Sequence, residues 1–292
     1  MRLQIISDLH LEFQKTLPKV NNAEADILIL AGDISNANHL YRNPPDHNPV
    51  IIQKDAHIHH ARRYREFFKH VSEQWPIVIY TMGNHEFYDG VWERTETVIR
   101  EEMSRYPNIH VLEQNKLVIN DIVFLGATLW TDMNREDPIT MMMIHNEIND
   151  YKAIAHYDTH YGWRRLMPQT TVNKYNESIR WFKLMLSEDN RKTVVVSHHA
   201  PSRQSVHENY RGQWMTNGAF VNNLDELIID HPHIALWTAG HVHHAHRYYI
   251  GNTLIAINPA GYPGEQTGFD PNRIIDLDNM PSIESLIDSQ LW

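Results

Sequence analysis

The sequence predicts an α/β protein, a four-layer α-β-β-α sandwich in which two mixed sheets pack face to face between flanking helices. Three observations carry that reading. Short β-branched runs alternate with longer helical stripes through the early part of the chain. Paired strand-like runs later in the chain read as hairpins. Several apolar runs end in the same kind of polar cluster, as parallel strands feeding one site would.

Taken in order, Leu3–Ser7 and Asp26–Ala31 are apolar enough to be strands buried on both faces. A helical segment near Ala61–Gln74 precedes a third strand at Ile77–Met82, and a second helix is expected over Val91–Tyr106. Lys116–Asn120 and Ile122–Ala127 pair as a hairpin. Val172, Tyr175, Ile179, Phe182 and Leu186 form a 3-4-3-4 apolar stripe, the mark of an amphipathic helix. Thr193–Ser197 is a strand, Val221, Leu224, Leu227 and Ile228 a further helical stripe, and Ile234–Ala239 a strand. Arg247–Ile250 and Thr253–Asn258 turn on Gly251-Asn252 as a second hairpin, and Arg273–Leu277 closes the set. Residues 36–60 and 133–168 lack a clean pattern and are read as loops or a partial cap over one end. The expectation is one domain over residues 1–292.

The 292 residues carry 36 acidic and 26 Lys or Arg side chains, a net charge of −10 that suits duplex nucleic acid poorly. A hydrophobic share of 42% supports a sizeable core and argues against disorder. With no Cys, disulfide scaffolds, Cys nucleophiles, thiolate zinc sites and iron–sulfur clusters are excluded. No apolar run is long enough for a signal peptide or a membrane span, so a soluble, cytoplasmic protein is expected. The 21 His residues turn attention to metal and acid–base chemistry.

The polar clusters at the strand ends are Asp8-Leu9-His10, Asp33, Asn84-His85-Glu86, His198-His199 and His241-Val242-His243. Asp8/His10 and His241/His243 are i, i+2 pairs, which on extended chain would share a face. Gly32, Gly83 and Gly240 precede their polar residues, as tight turns out of a strand require. Carboxylates, an amide and imidazoles without sulfur suit Mn, Fe, Co, Ni or Zn better than an all-oxygen Ca or Mg cage. They are too many for one ion and enough for two that share a carboxylate.

Asp8-x-His10, Gly32-Asp33, Gly83-Asn84-His85-Glu86, His198-His199-Ala200-Pro201 and Gly240-His241-Val242-His243, in this order, resemble the calcineurin-like (binuclear) metallophosphoesterase superfamily. The stretches Asp150–Leu186, Ser205–Phe220 and Asn258–Tyr262 also resemble a generic bacterial phosphoesterase or phosphohydrolase subgroup of it. The resemblance implies two divalent transition-metal ions, Mn foremost, with Fe, Zn, Ni or Co as alternatives. It implies Asp8, His10 and His243 on the first ion, Asn84, His241 and one of His198 and His199 on the second, and Asp33 bridging both. A bridging hydroxide would attack phosphorus in line, while His85 protonates or stabilises the leaving oxygen with Glu86 as its orienting group. The family's His-x-Pro form of the fourth motif, with strand alternation, favours His199 over His198, and the pair is left open.

The loop after that motif would hang over the metal pocket. His207, Tyr210, Arg211 and Asn217 are therefore candidate substrate contacts, Arg211 as a phosphate partner, with Tyr262 a weaker candidate. The reading that results is a hydrolase of small soluble phosphoesters, a nucleotide among them, with diesters ahead of monoesters. The alternatives are a phosphomonoesterase or protein phosphatase, a nuclease, and a non-catalytic interaction module that keeps the fold.

Overall fold

The structure, a computed structural model, describes residues 1–41 and 56–280. Its apolar runs become the parallel strands of two mixed sheets. In the first, β1 (Arg2–Ile6), β2 (Ile27–Ala31), β3 (Ile77–Thr81) and β4 (Ile109–Val111) run parallel, and β13 (Ile274–Asp276) closes the β1 edge antiparallel. The second sheet has the order β11 (His246–Ile250), β12 (Thr253–Ile257), β10 (Ile234–Ala239), β9 (Thr193–Ser197), β6 (Ile122–Ala127) and β5 (Asn115–Ile119). Its four inner strands are parallel, and the two expected hairpins supply its antiparallel edges.

Alternation along each strand sorts the side chains into layers. Leu3, Ile5, Ile27, Ile29 and Ile79 of one sheet share a buried cluster with Phe124, Val194, Val196, Leu236 and Leu254 of the other, the layer between the sheets. Their neighbours face outward. Leu28, Leu30 and Tyr80 are buried in one core with Tyr64, Phe67 and Phe68 of α1 (Ala56–Gln74); Val195 and Trp237 are buried with Phe182 and Leu186 of the long helix Pro168–Glu188. Covering both faces of the inner strands is what makes them read as largely apolar runs, with Gln4 and Thr238 among the buried polar exceptions.

Two expectations change. Residues 133–168 hold a left-handed turn with positive φ at Met133, Asn134, Arg135 and Glu136, then helices Pro138–Glu147 and Asp150–Ala153 and the hairpin Ala155–Asp158/Gly162–Arg165. Capping by Asp137, whose carboxylate accepts from the Thr140 N–H, with Pro138 in the first turn, starts the longer helix. Within 36–60, residues Ala37–Leu40 form a 3-10 turn and α1 begins at Ala56; residues 42–55 lie outside the described residues. Among the described residues no helix is long and apolar enough to cross a membrane.

Candidate metal centre

The carboxyl ends of β1, β2, β3, β9 and β10 all point to one place, and the polar clusters lie just past them. Asp8, His10, Asp33, His241 and His243 have φ between 43° and 68°. This left-handed backbone is uncommon for residues other than Gly and marks sites where the surroundings hold the chain against strain. The i, i+2 pairs therefore converge through turns after the strand has ended, not through strand alternation. Close backbone approach explains the glycines. A Cβ on Gly83 would lie 2.1 Å from Asp33 Oδ1, and one on Gly32 2.3 Å from His198 Nδ1.

Asp33 sits at the centre. Its Oδ1 accepts from the His85 backbone N–H at 2.9 Å, while Oδ2 lies 3.3 Å from His198 Nε2 and 3.7 Å from His10 Nε2. On one side, His198 donates from Nδ1 to the Ala31 carbonyl at 2.9 Å, which leaves Nε2 facing Asn84 Oδ1 at 3.0 Å. The Asn84 amide is fixed in that sense because its Nδ2 donates to Asp150 Oδ1 at 2.8 Å. His241 joins Asp33 and His198 in this group. On the other side, His10 Nε2 and His243 Nε2 face each other at 3.0 Å, and Asp8 Oδ1 lies 3.4 Å from His243 Nε2. The outer nitrogens of these rings are engaged, His10 Nδ1 with Glu12 at 3.1 Å and His243 Nδ1 with Glu265 at 2.7 Å. Asp8 Oδ2 is buried without a partner.

These contacts test whether cations fit. Lone pairs of Asn84, Asp33 and neutral His198 converge on one point; those of His10, His243 and Asp8 converge on another. Acceptors do not bond to acceptors, so each point calls for a proton or a metal ion. Without metal, protons do the work. Burial opposes a charge on His198, yet the Asp33 carboxylate outweighs it and raises its pKa to about 10. Asp33 is held well below the usual carboxylate range, the His198 and His85 charges overcoming burial. Nitrogen and oxygen donors fixed from behind by carboxylates and carbonyls fit divalent transition metals.

The structure places His198, not His199, in the cluster. Counting forward from Val194 and Val196 on the inter-sheet face leads to His198, whereas His199 packs on Trp130 at 5.1 Å with Nδ1 against the Thr128 carbonyl. Burial and the neighbouring His198 charge drive the His199 pKa down to about 3. Glu86 also differs from its expected role. It accepts from the backbone N–H groups of Asp33, Ile34, Ser35 and Gly83 and from the Tyr80 hydroxyl, so it shapes the Asp33 turn. The group that orients His85 is Glu12, at 2.8 Å from Nδ1. Burial works against a charged His85, but Asp33 and Glu12 prevail and raise its pKa to about 9.

A cavity of about 430 Å³ opens over the cluster. His207, Tyr210, Asn217 and Tyr262 line it, as do Ile148, Asp150, Val206 and Phe220. Tyr262 brings its hydroxyl to 3.2 Å from His85 Nε2. Arg211 does not line this cavity; the turn Glu208–Tyr210 carries it to the other side of the loop, into an adjacent groove. Sequence reasoning missed Glu12, Tyr88, Asp150 and Glu265. Only Glu12 had a signal, as the next step of the Asp8-x-His10 spacing; the others meet the site through distant turns.

An uncharacterized protein, L509, of Acanthamoeba polyphaga mimivirus is 26% identical over 292 residues, covering 95% of this chain and 97% of its own. Among solved structures, the phosphopantetheinyl hydrolase of Mycobacterium tuberculosis superposes with a TM-score of 0.57 at 15% identity over 89% of each chain, a likeness of fold. Residues 1–245 match the calcineurin-like phosphoesterase family, in the span that holds every strand-end cluster described above. The chain belongs to the calcineurin-like phosphoesterase family.

Proposed function

We propose that the protein hydrolyses small soluble phosphoesters with two divalent ions, Mn foremost, and that it favours diesters over monoesters. The convergence of lone pairs on two points either side of Asp33 supports this reading above all else. Asp8, His10 and His243 would hold one ion, Asn84, His198 and His241 the other, and Asp33 both. Bound there, the ions would supply Lewis acidity toward a phosphoryl oxygen and water.

The remaining steps belong to the protein's own groups. The Glu12 carboxylate engages His85 Nδ1, which leaves Nε2 toward the cavity beside the Tyr262 hydroxyl. The Glu12 carboxylate favours the charged imidazolium, so His85 can give its Nε2 proton to a leaving oxygen. A leaving alkoxide needs that proton, which supports the ester-hydrolase reading. Asp150, which accepts from Asn84 Nδ2 and the Tyr88 hydroxyl, keeps the Asn84 carbonyl oxygen aimed at the cluster. Ile148, Val206 and Phe220 exclude water from one wall, in a cavity sized for a small molecule.

The test is hydrolysis of a nitrophenyl phosphodiester and its monoester by metal-stripped protein reloaded with Mn. Turnover should require metal and be faster on the diester. His85→Ala should keep its metal and lose about 10²–10⁴-fold in rate. Monoester preference would overturn the diester assignment. Absence of turnover with metal bound would overturn the enzymatic one.

A further inference from the structure

Charge is divided unevenly between the cavity and the groove beside it. The cavity wall carries Glu147, Asp150 and Glu265 and neither Arg nor Lys. The groove, about 590 Å³, takes its charge from Arg203, Arg211 and Arg247, which line it beside the uncharged His246 ring, and no carboxylate lines it. In a chain of net charge −10 that is a marked local reversal. One loop separates the two spaces. His207, Tyr210 and Asn217 face the cavity, while Arg203, Gln204 and Arg211 face the groove. The wall is thin, since the His207 ring in the cavity lies 4.3 Å from the His244 ring in the groove.

Arg211 is exposed, and Arg203 is partly preset. Among the described residues neither Arg203 nor Arg211 makes an ion pair. Arg203 donates to Asn134 Oδ1 and lies over the Trp214 ring at 5.9 Å, which fixes its plane at the groove edge. Asp225, nearby, accepts from Gln204 at 3.1 Å. Planar guanidinium groups recognise phosphate oxygens two at a time, so a groove walled by them suits a phosphate.

We propose that this groove is a second anion subsite, which takes a phosphate group carried by the substrate in addition to the scissile one. This rests on the phosphoester-hydrolase reading of the adjacent centre. A substrate would place its reacting phosphorus at the Asp33 cluster, pass over the rim of the loop at the exposed Tyr210, and set its further phosphate against Arg211. A second anion inside the cavity would meet carboxylates; in the groove it meets guanidinium groups.

The first experiment is calorimetric binding of inorganic pyrophosphate to the metal-free, full-length protein. Arg211→Ala should weaken binding at least tenfold, and Arg62→Ala, an exposed arginine on α1, should leave it unchanged. The second compares kcat/KM for thymidine 5′-(nitrophenyl phosphate) with and without a 3′-phosphate, using Mn-loaded enzyme. The 3′-phosphorylated compound should be preferred at least tenfold, and Arg211→Ala should bring that ratio toward one. Equal pyrophosphate affinity in wild type and Arg211→Ala, or no binding to either, overturns the subsite. So does an unaltered substrate ratio. Arg211-dependent binding of a thymidine oligomer without pyrophosphate binding would assign the groove to a polynucleotide backbone and overturn the small-substrate form. Arg211-dependent pyrophosphate binding with no turnover of either ester would uphold the groove and sink the hydrolase reading.

Discussion

His198 and His199 show how one peptide bond separates a candidate ligand from a packing residue. The inter-sheet face of β9 carries Val194 and Val196, and the next side chain in that row is the one that meets Asp33 and Asn84. Metal analysis after gel filtration should find His198→Ala depleted of bound metal and His199→Phe, whose ring can keep the Trp130 contact, close to wild type. The reverse pattern would refute the assignment. Glu12 supports a second residue-scale prediction. Its carboxylate is one of the charges that favour the protonated His85, so activity that depends on that proton should fall as pH rises through the His85 pKa. Glu12→Gln removes the negative charge and should move the alkaline limb of the pH–rate profile about one unit lower. An unmoved limb would mean that His85 is not the proton donor.

At the scale of elements, the turns after the strands carry more of the function than the strands. Gly83 follows β3, and a methyl group there would strike Asp33 at its carboxylate and at its backbone nitrogen, 2.1 Å and 2.7 Å away. Backbone cannot yield as a flexible side chain would, so Gly83→Ala should fold with its metal affinity severely reduced. The inner strands were legible because both faces are covered, which leaves few polar residues along them. β4 and the hairpin Ala155–Asp158/Gly162–Arg165 were not legible, being three or four residues long with His110, His156 or Arg164 among them. The strand-end clusters were legible in residue type and order, but they converge through left-handed turns and not through the strand alternation that the spacing argument used. Asp150 and Glu265 left no local signal, since they join Asn84 and His243 only after the chain has folded back.

β11 offers a pH test at the same scale. Burial, with the His244 and His207 charges, lowers the pKa of His246 to about 4. The folded protein thus binds fewer protons than the unfolded chain between that value and about 6.5, the ordinary histidine pKa. The contribution is fully present above the upper limit and is lost as pH falls through the window. Urea unfolding of metal-free protein should show His246→Phe losing less stability than wild type between pH 7 and pH 5, by on the order of 1–2 kcal/mol. Equal losses would place the acid sensitivity elsewhere.

For the whole molecule, the decisive feature is that the candidate metal centre lies where the two sheets meet. Asp8, Asp33 and Asn84 follow strands of the first sheet, His198 and His241 strands of the second. Behind them the sheets meet through an apolar layer and through Asn258, whose side chain donates to the Ile5 carbonyl from the end of β12. Without metal, the front is held by the proton on His198, which faces Asp33 and Asn84, and a bound cation would take that proton's place. A cation that binds the folded arrangement and not the unfolded chain adds stability by mass action, about 2.7 kcal/mol at a hundred times its dissociation constant. For a chain of 292 residues that is roughly 4 °C in melting temperature for each ion. Stripping with a chelator should lower the melting temperature by about that much, and reloading with Mn should restore it. Asp33→Asn should melt at nearly the same temperature with and without metal, since it weakens the one group shared by both points. A wild-type melting temperature indifferent to metal would show that the strand ends are held closed by protein contacts alone.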